Sequence, residues 1–370
     1  MKKTTVLYPF ILFVSFALTA CGGGAGEADA EPPVANTPPS SQQVPEPDSF
    51  EIPEVSDKWQ LIWSDEFESS VIDMSKWGFE YNCAGGGNNE QQCYTKRLDN
   101  AFIENGILVI QALREDYTGP AEFDDSPSYD TNVTKNQPYT SARLRTKNKG
   151  DWRYGRFEVR AKLPSGQGTW PAIWMLPTDW VYGGWAGSGE IDIMEAVNLK
   201  ARSDAPGATS TDQENRVHGT LHYGRAWPEN VYSGTSYALP DNLNPADDFH
   251  TYAIEWQAGE IRWYVDGAHY ATQTENGWYT QYSNEQGTMI NGQDSAPFDQ
   301  TFHLIVNFAV GGNWPSEVNE GGIDESVFPQ RFEIDYVRVY QCSLDTETGK
   351  GCEAIGADAN FEEGHQEPSL

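Results

Sequence analysis

Alternation of apolar and polar residues at every second position is the clearest pattern in the middle of the chain. Residues 154–163 show it best, with Phe157 on one side of the predicted strand and Arg156 on the other. This period predicts a β-strand with one buried face and one polar face. We expect strands wherever the same period recurs.

Further alternating segments and turn residues extend this pattern along the chain. Residues 261–272 predict a β-hairpin that turns at Asp266-Gly267, a dipeptide typical of such turns. Residues 302–308 and 332–340 predict late strands, and no segment of useful length has the period of a helix. The pattern predicts an all-β fold, a sandwich of two antiparallel sheets.

Two segments lack the alternation. Residues 280–293 are polar and are interpreted as an inserted loop. Residues 342–370 form an acidic C-terminal tail without apolar periodicity, which we expect to fray. The folded domain is therefore predicted to span residues 57–341.

An acidic strand lies at residues 189–196. Glu190 and Asp192 share parity, whereas Glu195 is five residues beyond Glu190 and would point to the opposite face of a regular strand. One extra residue near Ile193-Met194, a β-bulge, would bring all three carboxylates onto the same face.

Three carboxylates on one surface repel each other, and the repulsion raises the pKa of one of them. A protonated carboxyl beside an ionised one is what retaining glycoside hydrolysis requires. On this interpretation Glu190 attacks the anomeric carbon, Glu195 protonates the leaving oxygen, and Asp192 orients Glu190 and tunes its pKa. A solvated acidic surface and a cation site are the alternatives that the segment alone leaves open.

The composition points to one class of ligand and argues against others. Aromatic residues make up 13% of the chain, with 13 Trp and 18 Tyr, which suits a groove where flat rings stack on sugars. The formal net charge of -31 argues against binding of nucleic acid or of an anionic membrane surface. Much of this charge lies in residues 21–57 and 343–370, outside the strand-rich part.

The N-terminal residues have the pattern of a secretion signal. A Lys-Lys pair precedes the apolar residues 6–18, a run shorter than a membrane span of ~20 residues. Leu18-Thr19-Ala20-Cys21 resembles the lipobox of bacterial lipoproteins, which makes residues 1–20 the predicted signal peptide and Cys21 the lipidated N-terminus. Residues 21–56 then form a Pro-, Gly- and Glu-rich linker. We expect an exported lipoprotein, anchored in the outer membrane or at the cell surface; ordinary cleavage and secretion is the alternative.

The remaining four cysteines form two pairs with equal spacing. Cys83 and Cys93 are ten residues apart, as are Cys342 and Cys352. Because export permits disulfides, local bridges within each pair are favoured, although spacing alone leaves the other pairings open.

Short motifs follow one another in a fixed order between residues 63 and 340. They are Trp63-Ser64-Asp65-Glu66-Phe67, Asn88-Asn89-Glu90-Gln91, Tyr94-Thr95, Ser141-Ala142-Arg143-Leu144-Arg145-Thr146, Tyr154-Gly155-Arg156-Phe157-Glu158, Gly168-Thr169-Trp170-Pro171-Ala172-Ile173-Trp174-Met175-Leu176, the acidic strand, His218-Gly219-Thr220-Leu221-His222 and Gly311-Gly312-Asn313-Trp314-Pro315. With these motifs the chain resembles the laminarinase branch of glycoside hydrolase family 16.

The resemblance implies a fold and an activity. The fold is a β-jelly roll of the concanavalin-like kind, and its concave face forms a cleft that cuts β-1,3-linked glucan with retention of anomeric configuration. A non-hydrolytic β-glucan-binding protein, a transglycosylase, or a hydrolase of mixed-linkage glucan, agarose or carrageenan are the alternatives. Ser316 and Tyr223-Gly224 depart from the family pattern at the expected sugar-binding ends of the cleft.

The resemblance also assigns residues. Glu190 is the nucleophile, Asp192 its assistant and Glu195 the acid/base, and no cofactor is expected for catalysis. A structural Ca²⁺ would bind the main-chain oxygens of Glu66 and Gly106 and the carboxylate of Asp335. The protein is expected to be a monomer. The predicted substrate contacts are Asn89, Arg143, Trp170, Trp174, Trp185, His218, His222, Asn313 and Trp314.

Overall fold

Two large β-sheets contain most of the strands in the computed structural model, which describes residues 55–370. The described residues contain one short α-helix, α1 (Asn313–Glu317), and 3-10 helices at Pro240–Asn242, Glu275–Gly277 and Glu325–Val327. In chain order the strands are β1 (Trp59–Asp65), β2 (Gly78–Phe79), β3 (Gln92–Tyr94), β4 (Ala101–Glu104), β5 (Ile107–Pro120), β6 (Thr134–Ser141), β7 (Arg143–Arg145), β8 (Asp151–Trp152), β9 (Gly155–Lys162), β10 (Thr169–Pro177), β11 (Glu190–Glu195), β12 (Arg216–Tyr223), β13 (Val231–Ala238), β14 (His250–Gln257), β15 (Glu260–Val265), β16 (Ala268–Thr274), β17 (Gln281–Ser283), β18 (Met289–Asn291), β19 (Phe302–Val310), β20 (Gln330–Cys342) and β21 (Asn360–Glu362).

Hydrogen bonds order these strands into a larger and a smaller sheet. The larger sheet has the order β21-β16-β15-β14-β9-β20-β5-β6-β3, with β1 paired to β20 and β4 to β5. The smaller sheet has the order β13-β12-β11-β10-β19-β7-β2, with β8 paired to β19. Neighbouring strands are antiparallel except for β3 with β6 and β16 with β21. The predicted all-β sandwich is confirmed.

The core consists of apolar side chains from both sheets in one cluster. In the larger sheet β9 contributes Phe157 and Val159, and in the smaller sheet β10 contributes Ile173 and Met175, all buried. These residues alternate with residues on the opposite face of the same strands, as the period of two predicts. Burial of each such side chain stabilises the fold by roughly 1.5–3 kcal/mol.

The polar face of β9 is covered rather than exposed. Arg156 contacts Glu158 Oε2 at 2.7 Å and Glu255 Oε1 at 3.1 Å, and all three side chains are buried. Glu255 Oε2 accepts hydrogen bonds from the hydroxyl of Tyr264 at 2.7 Å and from the main-chain N of Ala354 at 3.0 Å. The segment after β20 therefore lies over this ion-pair network, whose charges are removed from water but paired.

The expectation that the chain frays after Cys342 is wrong for this reason. The segment is fixed by a disulfide from Cys342 to Cys352, by the parallel pairing of β21 with β16, and by a hydrogen bond from Gln281 Nε2 to Pro368 O at 2.6 Å. Several of its contacts use main-chain atoms, which every residue type has, so the segment can be ordered without an apolar period in its sequence. Residues 342–370 are part of the folded unit.

Both predicted local disulfides are present. Cys83 is bonded to Cys93 as Cys342 is to Cys352, and the four sulfur-bearing residues are buried. Each bridge closes a short loop, which stabilises the fold mainly by restricting the unfolded chain.

Residues 280–293, interpreted above as an inserted loop, contain the hairpin of β17 and β18. Gln281 pairs with Asn291 in the hairpin, and its side chain accepts a hydrogen bond from Arg225 Nε at 2.8 Å. The ring of Tyr282 lies 5.1 Å from that of Tyr182. Polar side-chain contacts support this hairpin, so its sequence lacks the alternation of a half-buried strand.

The N-terminal predictions stay predictions. The signal peptide at residues 1–20 and the lipidation of Cys21 lie outside the described residues, as does the linker up to residue 54. Within residues 55–370 no helix combines the length and the apolar character needed to cross a membrane.

Substitution of Glu255 tests the covered network. Glu255→Ala leaves Arg156 and Arg262 buried without this partner, and loss of one member of a buried pair costs about 3–5 kcal/mol in the free energy of unfolding. Glu104→Ala, which removes an exposed partner of Arg331, is the control and should cost under about 1 kcal/mol. Urea denaturation measures both, and equal losses would contradict the structural role of the network.

Candidate active site

The acidic strand β11 contains the predicted bulge. Glu190 pairs with His222 of β12, Asp192 with Thr220, and Glu195 with His218. From Asp192 to Glu195 β11 advances by three residues, whereas its partner β12 advances by only two, from Thr220 to His218. The pairing of β11 with β10 shifts at the same point. One face of the smaller sheet receives all three carboxyl groups, as parity predicts.

The bulge also allows the opposite face of β11 to pack in the core. Ile191, Ile193 and Met194 are buried in the core between the sheets. The main-chain O of Asp192 accepts a hydrogen bond from the indole N–H of Trp263, a residue of the larger sheet, at 2.8 Å. This contact supplies a partner for a carbonyl at the irregular part of the ladder.

Two tryptophans donate hydrogen bonds to the two glutamates. Trp185 Nε1 lies 2.8 Å from Glu190 Oε2, and Trp170 Nε1 lies 2.9 Å from Glu195 Oε1. Both indoles were predicted as platforms for sugar rings, and their role as donors depends on tertiary contacts that the sequence does not show. Each bond fixes one carboxyl oxygen and leaves the other oxygen available for chemistry.

Asp192 lies between the glutamates on β11, and His222 lies opposite Glu190 on β12. The Asp192 side chain is 3% exposed and that of Glu190 is 13% exposed. His222 Nε2 is 3.4 Å from Asp192 Oδ2 and 3.6 Å from Glu190 Oε1. His222 is thus placed beside the acids, on the face where its predicted contact with substrate would occur.

Burial and mutual repulsion change the proton affinity of the acids. Burial raises the pKa of Glu190 to about 8 and the pKa of Glu195 to about 8, and the charge of Asp192 raises both. Burial also raises the pKa of Asp192 well above its usual value. At neutral pH the three neighbouring carboxyl groups therefore share protons, and one can be acidic while another is ionised.

Arg143 is buried beside Trp174. Its side chain is buried, with the guanidinium 5.1 Å from the ring of Trp174 and 4.6 Å from that of Tyr94, and with Nη1 3.4 Å from Glu80 Oε2. Trp174 in turn donates from Nε1 to Asn307 Oδ1 at 2.6 Å. Arg143 therefore packs against Trp174, and its direct hydrogen bonds to sugar stay a prediction.

The remaining predicted contacts lie in β12, in α1 and in the loop that contains Asn89. The ring of Trp314 is 5.6 Å from that of Trp170 and 4.9 Å from that of His218. Asn89 Nδ2 donates to Asn313 Oδ1 at 2.8 Å, and both side chains are exposed. Burial lowers the pKa of His218 to about 4, so its ring is neutral at neutral pH and can both donate and accept.

A layer of polar residues behind these side chains was not singled out from the sequence. Tyr94 OH donates to Glu90 Oε2 at 3.2 Å and accepts from Asn307 Nδ2 at 3.1 Å. Gln92 Nε2 also donates to Glu90 Oε2, at 2.6 Å. Glu90 and Tyr94 belong to motifs quoted above, and those motifs were the available signal for this layer.

Two sets of candidate metal ligands are present, one at the acids and one at the predicted calcium site. Glu190, Asp192 and His222 offer ligand atoms within 4.8 Å of one another, so the cation alternative for the acidic strand has a geometric basis. The indole donor on Glu190 argues for an anionic role, because a N–H group at a carboxylate competes with a cation.

The residues of the predicted calcium site converge on β20. Ile334 of β20 pairs with Leu108, two residues after Gly106. Val337 of β20 pairs with Asp65, the residue before Glu66. Asp335 lies between these pairs, and its Oδ2 contacts Arg160 Nη1 at 2.6 Å. The positions and the oxygen donors fit a hard cation, with part of the carboxylate charge already neutralised by Arg160.

A bulged strand that places two glutamates on one face, each with a tryptophan N–H donor, has the arrangement of a carbohydrate-cleaving enzyme of the two-carboxylate type. A model of "Glycosyl hydrolases family 16" matches residues 117–296. The chain is 42% identical over 290 residues to a beta-glucanase of Rhodothermus marinus, across 76% of this chain and 85% of that protein. The chain belongs to glycosyl hydrolase family 16.

Other similarities agree. The chain is 39% identical over 289 residues to glucan endo-1,3-beta-glucosidase A1 of Niallia circulans, across 76% of this chain but only 38% of that longer protein. The X-ray structure of the laminarinase from Rhodothermus marinus superimposes with a TM-score of 0.56 at 41% identity, covering 76% of this chain and 97% of the laminarinase. The predicted family and jelly-roll fold are confirmed.

Removal of each indole donor should move a different limb of the pH-rate profile. The N–H group stabilises the ionised glutamate, so its loss raises the pKa of that glutamate, by about one pH unit. The nucleophile must be ionised, so Trp185→Phe should shift the acidic limb to higher pH. The acid/base must be protonated, so Trp170→Phe should shift the basic limb to higher pH.

Trp174→Phe is the matched control, because its indole donates to Asn307 and not to a glutamate. Profiles of kcat/KM between pH 4 and 10 would check the assignment. Movement of the same limb in both variants would contradict the separate roles of Glu190 and Glu195.

Proposed function

We propose that this protein hydrolyses internal β-1,3 linkages of laminarin-type glucan with retention of anomeric configuration. The observation that carries the proposal is the bulge in β11, which brings Glu190 and Glu195 to one face, each with an indole donor. The names of the similar glucanases support the choice of β-1,3-glucan as substrate.

The reaction proceeds in two steps with the chain's own groups. Glu190 attacks the anomeric carbon while Glu195 gives its proton to the leaving glycosidic oxygen, and a glycosyl ester forms on Glu190. Glu195, now ionised, removes a proton from water, which attacks the anomeric carbon and releases Glu190. The raised pKa of Glu195 keeps its proton at neutral pH until the leaving oxygen needs it.

Asp192 contributes charge to both steps. Its carboxyl lies beside the two glutamates, and its negative charge raises the pKa of each. The two glutamates also repel each other. When Glu190 becomes a neutral ester this repulsion is lost, so the pKa of Glu195 falls and Glu195 can act next as a base. Coupling between neighbouring carboxyl groups therefore supports the change of role between the steps.

A non-hydrolytic binding protein is disfavoured by the retention of all three acids in one arrangement. Such a protein needs rings and hydrogen-bond donors but has no use for buried carboxyl groups with raised pKa values, which destabilise the fold if they ionise. Release of reducing ends from laminarin separates hydrolysis from binding, and product sizing separates hydrolysis from transglycosylation.

Variants of the two glutamates test the mechanism. Glu195→Ala should lower kcat on laminarin by roughly 10²–10⁴, with a smaller loss on aryl glycosides whose leaving group needs no proton. With added azide it should give the β-glycosyl azide, because azide attacks the ester on Glu190 from the opposite side. Glu190→Ala with azide should instead give the α-glycosyl azide.

Glu104→Ala, on the surface of the larger sheet, is the control and should retain wild-type turnover. Product configuration is read by NMR. Azide products of the same configuration from both glutamate variants, or wild-type turnover in either, would overturn the assigned roles.

A structural Ca²⁺ at Glu66, Gly106 and Asp335 is part of the proposal. Asp335 lies in β20 of the larger sheet, and Glu66 and Gly106 directly adjoin β1 and β5 of that sheet. The acids lie on the smaller sheet, so the ion would stabilise the fold without contacting substrate. Ca²⁺ at about 100 times its dissociation constant adds about 2.7 kcal/mol of stability. Calcium should therefore raise Tm of chelator-treated protein, and Asp335→Ala should abolish that increase.

Asp73→Ala, which removes a surface carboxylate, is the control and should keep the calcium response. Turnover at 25 °C should be the same with chelator and with calcium. A calcium-dependent kcat at that temperature would contradict a purely structural ion.

A further inference from the structure

Three rings form a row from Glu190 to the edge of the smaller sheet. The ring of Trp185, which binds Glu190, is 5.6 Å from that of His222, and the ring of His222 is 5.6 Å from that of Tyr232. Tyr232 lies in the edge strand β13, directly opposite His222 in the register. The row therefore leads from the catalytic acids to the end of the sheet, on the face that carries them.

The outer end of this row is exposed to solvent. Tyr232 is 66% exposed, and the next residues on the same face of β13 are the exposed Gly234 and Ser236. A Cβ atom at Gly234 would lie 2.4 Å from Gly219 O, so the backbone of β12 prevents a larger side chain there. Beside Tyr232 this face of β13 thus presents only Gly234 and the small side chain of Ser236.

An exposed indole lies on the loop at the same end. Trp227 is 72% exposed, on residues 224–230, which connect β12 with β13. Its main-chain N donates to Trp185 O at 2.7 Å. The loop is also fixed by the hydrogen bond from Arg225 to Gln281, which itself contacts the C-terminal segment at Pro368. The indole is exposed although its backbone is well anchored.

Single exposed aromatic residues are common and by themselves mean little. In residues 55–370, however, Trp227 is the one exposed tryptophan and Tyr232 the one exposed tyrosine, and only four residues lie between them. Both adjoin Trp185 or His222, which already contact the acids or lie beside them. The ring of Tyr232 continues the row from Glu190, and Trp227 is joined to Trp185 through its main chain. Exposed aromatic faces beside a carbohydrate site suit stacking on a further sugar ring.

We propose that Tyr232 and Trp227 form an outer glucosyl-binding subsite, which takes a further residue of the same β-1,3-glucan chain beyond the Glu190 side of the site. This inference rests on the proposed function. Its consequence is a preference for longer chains, because only a chain that reaches the edge strand gains the added contact.

A series of purified linear β-1,3-gluco-oligosaccharides of increasing length tests the subsite. In the wild type kcat/KM should rise when the chain becomes long enough to reach Tyr232. Tyr232→Ala and Trp227→Ala should lower kcat/KM on these longest chains by roughly three- to tenfold. Shorter chains should be affected little, so the loss of kcat/KM grows with chain length. Tyr232→Phe, which keeps the ring, should restore the rise.

Phe361→Ala is the matched control, because Phe361 is 60% exposed but lies in β21 at the edge of the larger sheet. It should match the wild type at every length. An equal loss at all lengths in the Tyr232 and Trp227 variants, or no loss at any length, would overturn the subsite.

Failure of the proposed function would give a different result. If the wild type cut none of the β-1,3 oligosaccharides but released reducing ends from mixed-linkage glucan, agarose or carrageenan, the proposed substrate would be wrong. The same variants would then be measured on an oligosaccharide series from that polysaccharide. A loss that grows with length there would support the aromatic subsite, and a uniform loss would refute it.

Discussion

One extra residue in β11 is the constraint on which the site depends. Without it, Glu195 would point into the core and one apolar neighbour would point into the cleft. With it, Ile193 and Met194 are both buried, and the three carboxyl groups share one surface. The irregular backbone obtains a hydrogen-bond donor from Trp263 of the other sheet. Packing of the two sheets and placement of the acids are therefore a single structural requirement.

Tryptophan is used here for its N–H group as much as for its ring. Trp170, Trp185 and Trp263 come from different parts of the chain, and each donates to β11. A rigid side chain with one donor fixes a carboxyl oxygen and excludes water on its apolar sides. This combination places ionisable groups in a medium where their mutual repulsion is strong. Trp77 and Trp256 lie in the core, and their N–H groups donate to Asp65 and to the main-chain O of Phe298 rather than to β11.

Local rules predict the acidic strand but not its surroundings. Parity locates the bulge between Glu190 and Glu195, because side-chain direction in a strand depends on position alone. The same rule predicts the face of the strand on which Arg143 lies. It does not predict that its side chain is buried, which depends on the packing of Trp174 against it. The order of residues 342–370 could not be predicted either. It comes largely from main-chain hydrogen bonds and from the ion pairs that the segment covers, and neither leaves a period in the sequence.

The position of β21 has a consequence for association between molecules. It occupies the side of β16 that would otherwise present unpaired main-chain groups at the end of the larger sheet. In its place the outermost strand is only three residues long and ends in a charged Glu362. Short, charged outer strands are poor templates for the addition of a foreign strand. The last residues of the chain thereby protect the protein from edge-to-edge aggregation, whatever they contribute to its own stability.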